Sequence, residues 1–361
     1  MNILAFESSC DETSASVVTK TEEGFVIKSN IVASQIATHR LYGGVVPEIA
    51  SRAHIEAISN ITYEALAEAS LSLSDIDLIA VTANPGLIGA LLVGVNFAKG
   101  VAAANSIPLV AVDHIKGHVA AAYLKESGAP KPPFIALVVS GGHTSIYKVS
   151  DYTDFSVIGS TRDDAIGESF DKIGRMLGIP YPAGKEFDAL SKEGFILATS
   201  DEENFYKAYK KSDAYRDAEM TLPSPALSGD TLDFSFSGLK TAAINLIHKY
   251  EQRKEELNRS LFAARYTYEA VEAVAKKIGM ALKDNPGAPL VVAGGVAANS
   301  HLRRRLTEVA KSYKTEIFIP EISLCGDNGA MIAAQAYYEY KIGNLADSSL
   351  NASALDSIEL R

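Results

Sequence analysis

The chain has no tryptophan and only two cysteines, Cys10 and Cys325, among its 361 residues. Two cysteines cannot build a disulfide framework, so a cross-linked secreted scaffold is excluded and a reducing cytoplasm is the expected setting. No run reaches the roughly 18 uninterrupted apolar residues that a membrane span needs. The longest candidates, such as "ANSIPLVAVDH" (104–114), read as buried strands. The start, "MNILAFESSCDETSASVV", has neither a basic n-region nor a long apolar stretch, which argues against a secretion signal. Positive charge is scarce too: 34 Lys and Arg face 44 Asp and Glu, a net charge of −10. That balance argues against indiscriminate nucleic-acid affinity over the whole surface. It leaves room for a local patch. The best candidates are Arg303, Arg304 and Arg305, and "YKAYKKSDAYRD" (206–217). The latter interleaves Lys207, Lys210, Lys211 and Arg216 with tyrosines that could stack bases, or it is simply a solvated helix face.

What is present is ordinary for a globular α/β protein: 47 % hydrophobic and 22 % charged residues. The length exceeds one compact core and predicts two domains or one deeply split unit. "NILAFESS" and "SASVVTK" read as a β-hairpin around the polar turn Cys10-Asp11-Glu12-Thr13. A helix is predicted around "PEIASRAHIEAISNITYEALAEA", a strand at "IDLIAVTA", a helix after "NPGL" and a strand at "IPLVAVDH". "PPFIALVVSGGHTSIYKVS" reads as strand, Gly-Gly turn and strand, so the opening hairpin recurs as a duplication of architecture. Beyond it the chain turns mainly helical. In "DDAIGESFDKIGRMLG", Ile166, Phe170, Ile173 and Leu177 share one apolar face, while Asp164, Glu168, Asp171 and Arg175 lie on the other side. "PLVVAGGVAANSHLRRRLTEVA" is strand, glycine turn and helix, and another helix starts near Asp327. From about Ala346 the tail is polar and expected to fray.

"VDHIKGHVAAAYL" (112–124) carries the sharpest chemistry. On a helix, His114 and His118 point the same way one turn apart, as metal ligands must. They are equally consistent with two ordinary surface histidines. A third ligand must come from elsewhere, and Asp327, in a polar turn entering a helix, is a sensible donor; His143 is another candidate. A zinc peptidase of the H-E-x-x-H type would place glutamate where Ile115 stands. Three glycine turns follow strands, "NPGL", "VVSGGHT" and "VVAGGVAAN", and suggest a nucleotide site split between two lobes. None is a P-loop, since Gly184-Lys185 is followed by Glu186, and none has the G-x-G-x-x-G spacing. "SFSGLKT" offers Ser237 and Lys240 at S-x-x-K spacing without the companion runs of an acylating serine, and reads better as a turn that positions a substrate or packs a lobe.

Nine runs taken together resemble the TsaD family, the tRNA adenosine N6-threonylcarbamoyltransferases once described as O-sialoglycoprotein endopeptidases. They are "ESSCDETSASV", "SQIATHRLYGGVVPEIASRAH", "PGLIGALLVG", "DHIKGH", "VVSGGHT", "STRDDAIGESFDKIGRMLG", "DFSFSGLKTA", "VAGGVAANSHLR" and "CGDNGAMIA", in order from residue 7 to about residue 333. "YGGVVPEIASR" resembles the bacterial and organellar branch. The resemblance implies an actin-like, sugar-kinase-like (ASKHA) α/β fold with a nucleotide cleft between two lobes. The first lobe would be residues 1–125 plus about 322–345, the second 126–321 with helical insertions, and 346–361 a polar tail. It implies transfer of threonylcarbamoyl from threonylcarbamoyl-AMP to N6 of adenosine 37, just 3′ of the anticodon, in tRNAs reading ANN codons. It further implies one divalent ion, Fe2+ or Zn2+, on His114, His118 and Asp327. Leu137, Val138, Val139, Ser140 and Gly141 would line the intermediate. Asp171, Gly184, Asp188 and Asn299 would contact its nucleotide portion. Asp11 and Glu12 would face the reaction centre, with Asp11 as the expected proton acceptor. Implied partners are tRNA, an inactive paralogue and a small ATPase. Two departures stand out: Asn84 replaces a usual glycine, and in "YPAGKEFD" Ala183 replaces a usual glycine and Lys185 a usual proline. The added methyl of Ala183 is expected to crowd the ligand contact at Gly184. Two other classes compete, a metal-dependent glycoprotein endopeptidase and a non-catalytic nucleotide-binding scaffold.

Overall fold

The computed structural model describes residues 1–125, 127–355 and 358. Ten strands form two five-stranded sheets. The first holds β1 (Asn2–Glu7), β2 (Glu12–Lys20), β3 (Phe25–Ser34), β4 (Leu78–Asn84) and β5 (Leu109–Asp113) in the order β3-β2-β1-β4-β5. The second holds β6 (Phe134–Val139), β7 (Thr144–Asp151), β8 (Asp154–Ser160), β9 (Leu290–Ala293) and β10 (Ile317–Phe318) in the order β10-β9-β6-β7-β8. Each sheet begins with an antiparallel meander of three strands and adds two parallel strands beside the first. The duplicated architecture read from the two hairpins is therefore complete in topology. It includes the edge strands β3, β8 and β10, which the apolar pattern did not announce.

Alternation along the central strands divides the interior into layers. In β1, Ile3 and Ala5 belong to one apolar cluster, while Leu4 and Phe6 belong to another. In β6, Ala136 and Val138 share the cluster of Ile3 and Ala5, and Leu137 and Val139 face a third. The shared cluster is thus a middle layer between the sheets. Two helices fill it: His114–Ala120, which continues from β5, and Gly329–Lys341. The outer layers are the helices Pro47–Glu68 and Ile88–Asn105 on the first sheet, and a larger helical mass led by Gly184–Thr199 and Arg259–Asp284 on the second. Strands buried on both faces need no polar alternation, and "FIALVV" of β6 is apolar throughout.

Among the described residues one helix, Ile88–Asn105, is long and apolar enough to cross a membrane by length and composition, with a mean hydropathy of 1.4. Here its buried side, with Val95, Ala98 and Ala102, lies on the first sheet. The tail does not fray where it is described. Ala346 N–H donates to Leu109 O (2.8 Å), Ser353 N–H to Ala83 O (2.9 Å), and Lys99 Nζ to Leu350 O (2.9 Å). Carbonyls at β5 and the end of β4, and the ammonium of Lys99, give a polar tail what it lacks in apolar surface. Residues 356, 357 and 359–361 of that tail lie outside the described residues.

Candidate active site

Three parallel strands of the first sheet end on polar side chains at the same edge: Glu7 on β1, Asn84 on β4 and Asp113 on β5. Asp113 caps the helix that follows, accepting from Ile115 N–H (2.9 Å) and Lys116 N–H (3.3 Å). Helix His114–Ala120 then carries both histidines on one side. Gly117, between them, lets this helix approach Gly329–Lys341, because any side chain there would collide with Ile332. That approach brings Asp327, just before the second helix, to the histidines from 209 residues away in sequence. Asp327 Oδ1 lies 3.6 Å from His114 Nε2 and 3.3 Å from His118 Nε2, and the three ligand atoms lie within 4.8 Å of one another.

The donor set fits a divalent cation. Both ring nitrogens of the buried His118 have no hydrogen-bond partner despite the nearby carboxylate, an arrangement that protein interiors rarely tolerate. His114 is oriented from behind: its Nδ1 lies 3.1 Å from Glu7 Oε2 and 3.2 Å from Ser9 Oγ, which turns Nε2 toward Asp327. A carboxylate behind a ligating histidine is the usual way to fix its tautomer. Glu7 was not foreseen. It is wholly buried and also accepts from Ser9 N–H (2.6 Å) and Thr82 Oγ1 (2.5 Å). Its one signal in the sequence is a charge closing an otherwise apolar strand.

The charges here oppose one another strongly. Burial alone would lower the His114 pKa, yet Glu7 and Asp327 outweigh it and raise it to about 9. Burial would raise the carboxyls of Glu7 and Asp327, but His114 pulls both below their ordinary values. Burial, with Asp327 and Asp11 beside it, pushes Glu12 up to about 8. His143, the alternative ligand, is outside the close three-residue group, and burial with the two neighbouring imidazoles lowers it to about 4. Asp11 is buried and accepts a hydrogen bond from the Tyr181 hydroxyl (3.2 Å).

A cavity of about 590 Å³ opens at the carboxyl ends of β6 and β9. Its lining includes Gly141, Asp171, Gly184, Asp188 and Asn299 from the sequence-level set, together with Lys185. Leu137, Val138 and Val139 precede it in β6, with side chains wholly buried in the core and the strand paired with β7 and β9 on either side; of the run 137–141, Gly141 is the residue that reaches the cavity lining. Gly294 (φ +93°) presses directly on Val139 O and leaves no room for a Cβ. Ser140 closes the turn, its Oγ accepting from His143 N–H (3.1 Å). The polar side chains of the cavity are braced by main chain. Asp171 Oδ1 accepts from Ala183 N–H (2.7 Å), Asp188 Oδ1 from Ser300 N–H (3.1 Å), and Asn299 Oδ1 from Leu302 N–H (2.9 Å) at a helix start.

A family model described as TsaD, tRNA N6-adenosine threonylcarbamoyltransferase, matches residues 26–334. The chain belongs to the TsaD family. Among its relatives, a tRNA N6-adenosine threonylcarbamoyltransferase of Clostridium botulinum is 47 % identical over 352 residues, covering 98 % of this chain and 96 % of that one. Another, of Lactobacillus acidophilus, is 48 % identical over 364 residues, covering 100 % and 96 %. Among solved structures, HypF of T. kodakarensis aligns with a TM-score of 0.54 at 13 % identity, over 98 % of this chain and 49 % of that one. A full-length HypF in a phosphate- and nucleotide-bound form gives 0.52 at 15 %, over 96 % and 47 %. The fold is the two-lobed ASKHA architecture.

Both departures of this TsaD chain have local explanations. Asn84 donates through Nδ2 to Asp113 Oδ2 (2.7 Å), so it braces the cap of the histidine helix. Ala183 does not crowd the cavity as expected: its methyl is buried in the core against Gly174, and Lys185 is the replaced residue that reaches the lining. The basic run 206–217 also differs from its nucleic-acid reading. Tyr206 and Tyr209 are buried in an aromatic cluster with Phe195 and cannot stack bases, although Lys207, Lys210 and Lys211 stay at the surface. In "SFSGLKT", Ser235 and Ser237 donate to Asp163, and Lys240 pairs with Asp164, so the motif ties a loop to a helix start.

Proposed function

We propose that this chain transfers the threonylcarbamoyl group of threonylcarbamoyl-AMP to N6 of adenosine 37 in tRNAs reading ANN codons, releasing AMP. Near-full-length identity to relatives bearing that name carries the reading. The close His114–His118–Asp327 set and the cavity beside it support it. His114, His118 and Asp327 would hold one Fe2+ or Zn2+. When bound, such an ion supplies positive charge against which acyl or phosphate oxygens can be held.

The rest is the work of side chains. Adenine N6 is a poor nucleophile and AMP a good leaving group. As N6 attacks the carbamoyl carbon, the C–N bond forms, the C–O bond to phosphate breaks, and N6 must lose a proton. Asp11 is the acceptor we assign. Glu12 is the weaker candidate: burial raises its pKa, and its Oε1 already accepts a hydrogen bond from Ser34 Oγ (3.2 Å). Asp171, Gly184, Asp188 and Asn299 would receive the nucleotide, with the backbone of Leu137–Gly141 along the acyl phosphate.

We read lobe one as residues 1–125 with about 322–345, lobe two as 126–321, and 346–361 as a polar tail. Helix Gly329–Lys341, packed in the middle layer with β1, supports the chain's return to lobe one. Cytoplasmic residence, and an inactive paralogue and a small ATPase as partners, complete the proposal. The peptidase alternative gains no support, for Ile115 is wholly buried and the histidine helix presents no carboxylate in its place.

The test is incubation with threonylcarbamoyl-AMP and an unmodified ANN-decoding tRNA, followed by nucleoside mass spectrometry. Threonylcarbamoyladenosine is expected. Its absence with the partner proteins added would overturn the assignment.

A further inference from the structure

The transfer reading leaves one contact unused. Tyr181 belongs to the second half of the chain, in the loop before helix Gly184–Thr199, yet its hydroxyl donates to Asp11 Oδ2 in the first half (3.2 Å). Burial first, then the charge of Asp11, holds the phenol pKa well above its ordinary value, so it stays a donor. The same loop is fastened through its main chain. Tyr181 O accepts from Arg40 Nε (3.0 Å), and Ala183 N–H donates to Asp171 Oδ1 (2.7 Å). The next residues along, Pro182 and Gly184, line the 590 Å³ cavity. One short loop therefore touches the cavity wall with one residue and the Asp11 carboxylate with its neighbour.

We propose that Tyr181 is a positioning residue: its hydroxyl fixes the orientation of the Asp11 carboxylate and ties it to the wall of the ligand cavity. The proposal rests on the transfer reading and on Asp11 as proton acceptor. A carboxylate with one oxygen engaged presents the other in a defined direction, and proton transfer depends on that geometry. Because Arg40 and Asp171 grip main-chain atoms, removing the hydroxyl leaves the loop in place.

The experiment is steady-state transfer by wild type, Tyr181→Phe, Asp11→Asn and the double variant, with threonylcarbamoyl-AMP, unmodified tRNA and partner proteins. Losing a hydrogen bond to a charged acceptor is expected to lower kcat about ten- to hundredfold in Tyr181→Phe, with KM for the adenylate within about twofold. Unfolding in urea should stay cooperative, with the midpoint lowered only by the loss of one hydrogen bond to a buried carboxylate. Asp11→Asn and the double variant should share one residual rate, because the hydroxyl acts only through Asp11. Unchanged kcat in Tyr181→Phe, or a further loss of the same size in the Asp11→Asn background, would overturn the role of Tyr181 alone. No modified nucleoside from wild type would overturn the transfer reading and this role with it.

Discussion

Exchanging Glu7 for glutamine tests whether the buried triad is a metal site. In the native chain, Glu7 Oε1 accepts from Ser9 N–H (2.6 Å), while Oε2 accepts from Thr82 Oγ1 (2.5 Å) and faces His114 Nδ1 (3.1 Å). Glutamine keeps the shape but must present one oxygen and one NH2. The Ser9 amide is a fixed donor, so the oxygen goes there. The Thr82 hydroxyl can rotate and accept from the NH2, but a protonated His114 Nδ1 cannot. With only the Ser9 hydroxyl (3.2 Å) left to accept an Nδ1 proton, the imidazole then favours the tautomer with its proton on Nε2, the nitrogen facing Asp327. A protonated Nε2 cannot ligate a cation. Losing an orienting partner of this kind typically costs 10- to 100-fold in metal affinity, about 1.4–2.7 kcal/mol. Chelator-competition titration with Zn2+ should show that loss for Glu7→Gln and a greater one for His118→Ala, which removes a ligand. Wild-type affinity in Glu7→Gln, with loss in His118→Ala, would refute the tautomer argument.

Three further outcomes follow from the same structure. Glu12 keeps its proton to about pH 8 when folded but releases it near 4.5 when unfolded. Its contribution to stability is therefore full below about pH 4.5 and is lost as pH rises to 8. Urea midpoints of metal-free wild type should fall more than those of Glu12→Gln between about pH 5 and pH 8, and equal slopes would contradict this. Lys185 is an exposed cation on the cavity wall, so Lys185→Ala should raise KM for the adenylate about two- to fivefold while kcat holds, as initial rates at varied adenylate would show. Gly174→Ala would drive a methyl into that of Ala183 and should cost about 1–3 kcal/mol by urea unfolding. Adding Ala183→Gly should restore most of that loss, and failure of this rescue would mean the two positions do not compete for space.

Much of the fold was legible because its central strands obey simple patterns. β1, β4, β5 and β6 are apolar runs bounded by turns, and the two hairpins announced the repeat. The edge strands escaped because they carry polar residues: β3 contains Lys28, Ser29 and Asn30, and β10 is two residues long. The tail was misjudged because its partners are carbonyls of β4 and β5 and the side chain of Lys99, all distant in sequence, which composition does not reveal. The tyrosines of 206–217 were misjudged for a related reason, since their burial depends on Phe195 and Tyr268, elements no local window contains. At the site, a four-residue spacing made His114 and His118 visible. Glu7 was invisible because period-two reasoning scores a terminal charge as the end of a strand, not as a ligand's support.

The site's charges supply the strongest physical reason to expect a cation. Glu7, Asp11 and Asp327 lie together at one edge of the first sheet, beside Glu12, which keeps its proton to about pH 8, and among the described residues no lysine or arginine forms an ion pair with any of them. The one balancing charge is a proton on His114, held there by Glu7 and Asp327. An adenylate entering the adjacent cavity brings a further negative phosphate, which a cluster of carboxylates would repel. A single imidazolium between two carboxylates is a poor answer to that repulsion, and its Nε2 proton occupies the nitrogen best placed to bind a cation. A divalent ion on His114, His118 and Asp327 would replace the proton with two charges and satisfy a ring nitrogen of His118. The ring nitrogens of buried His118, with Asp327 at 3.3 Å and no well-aligned hydrogen-bond partner, are thus as informative as the pair's spacing: spacing permits a metal, and their burial favours one.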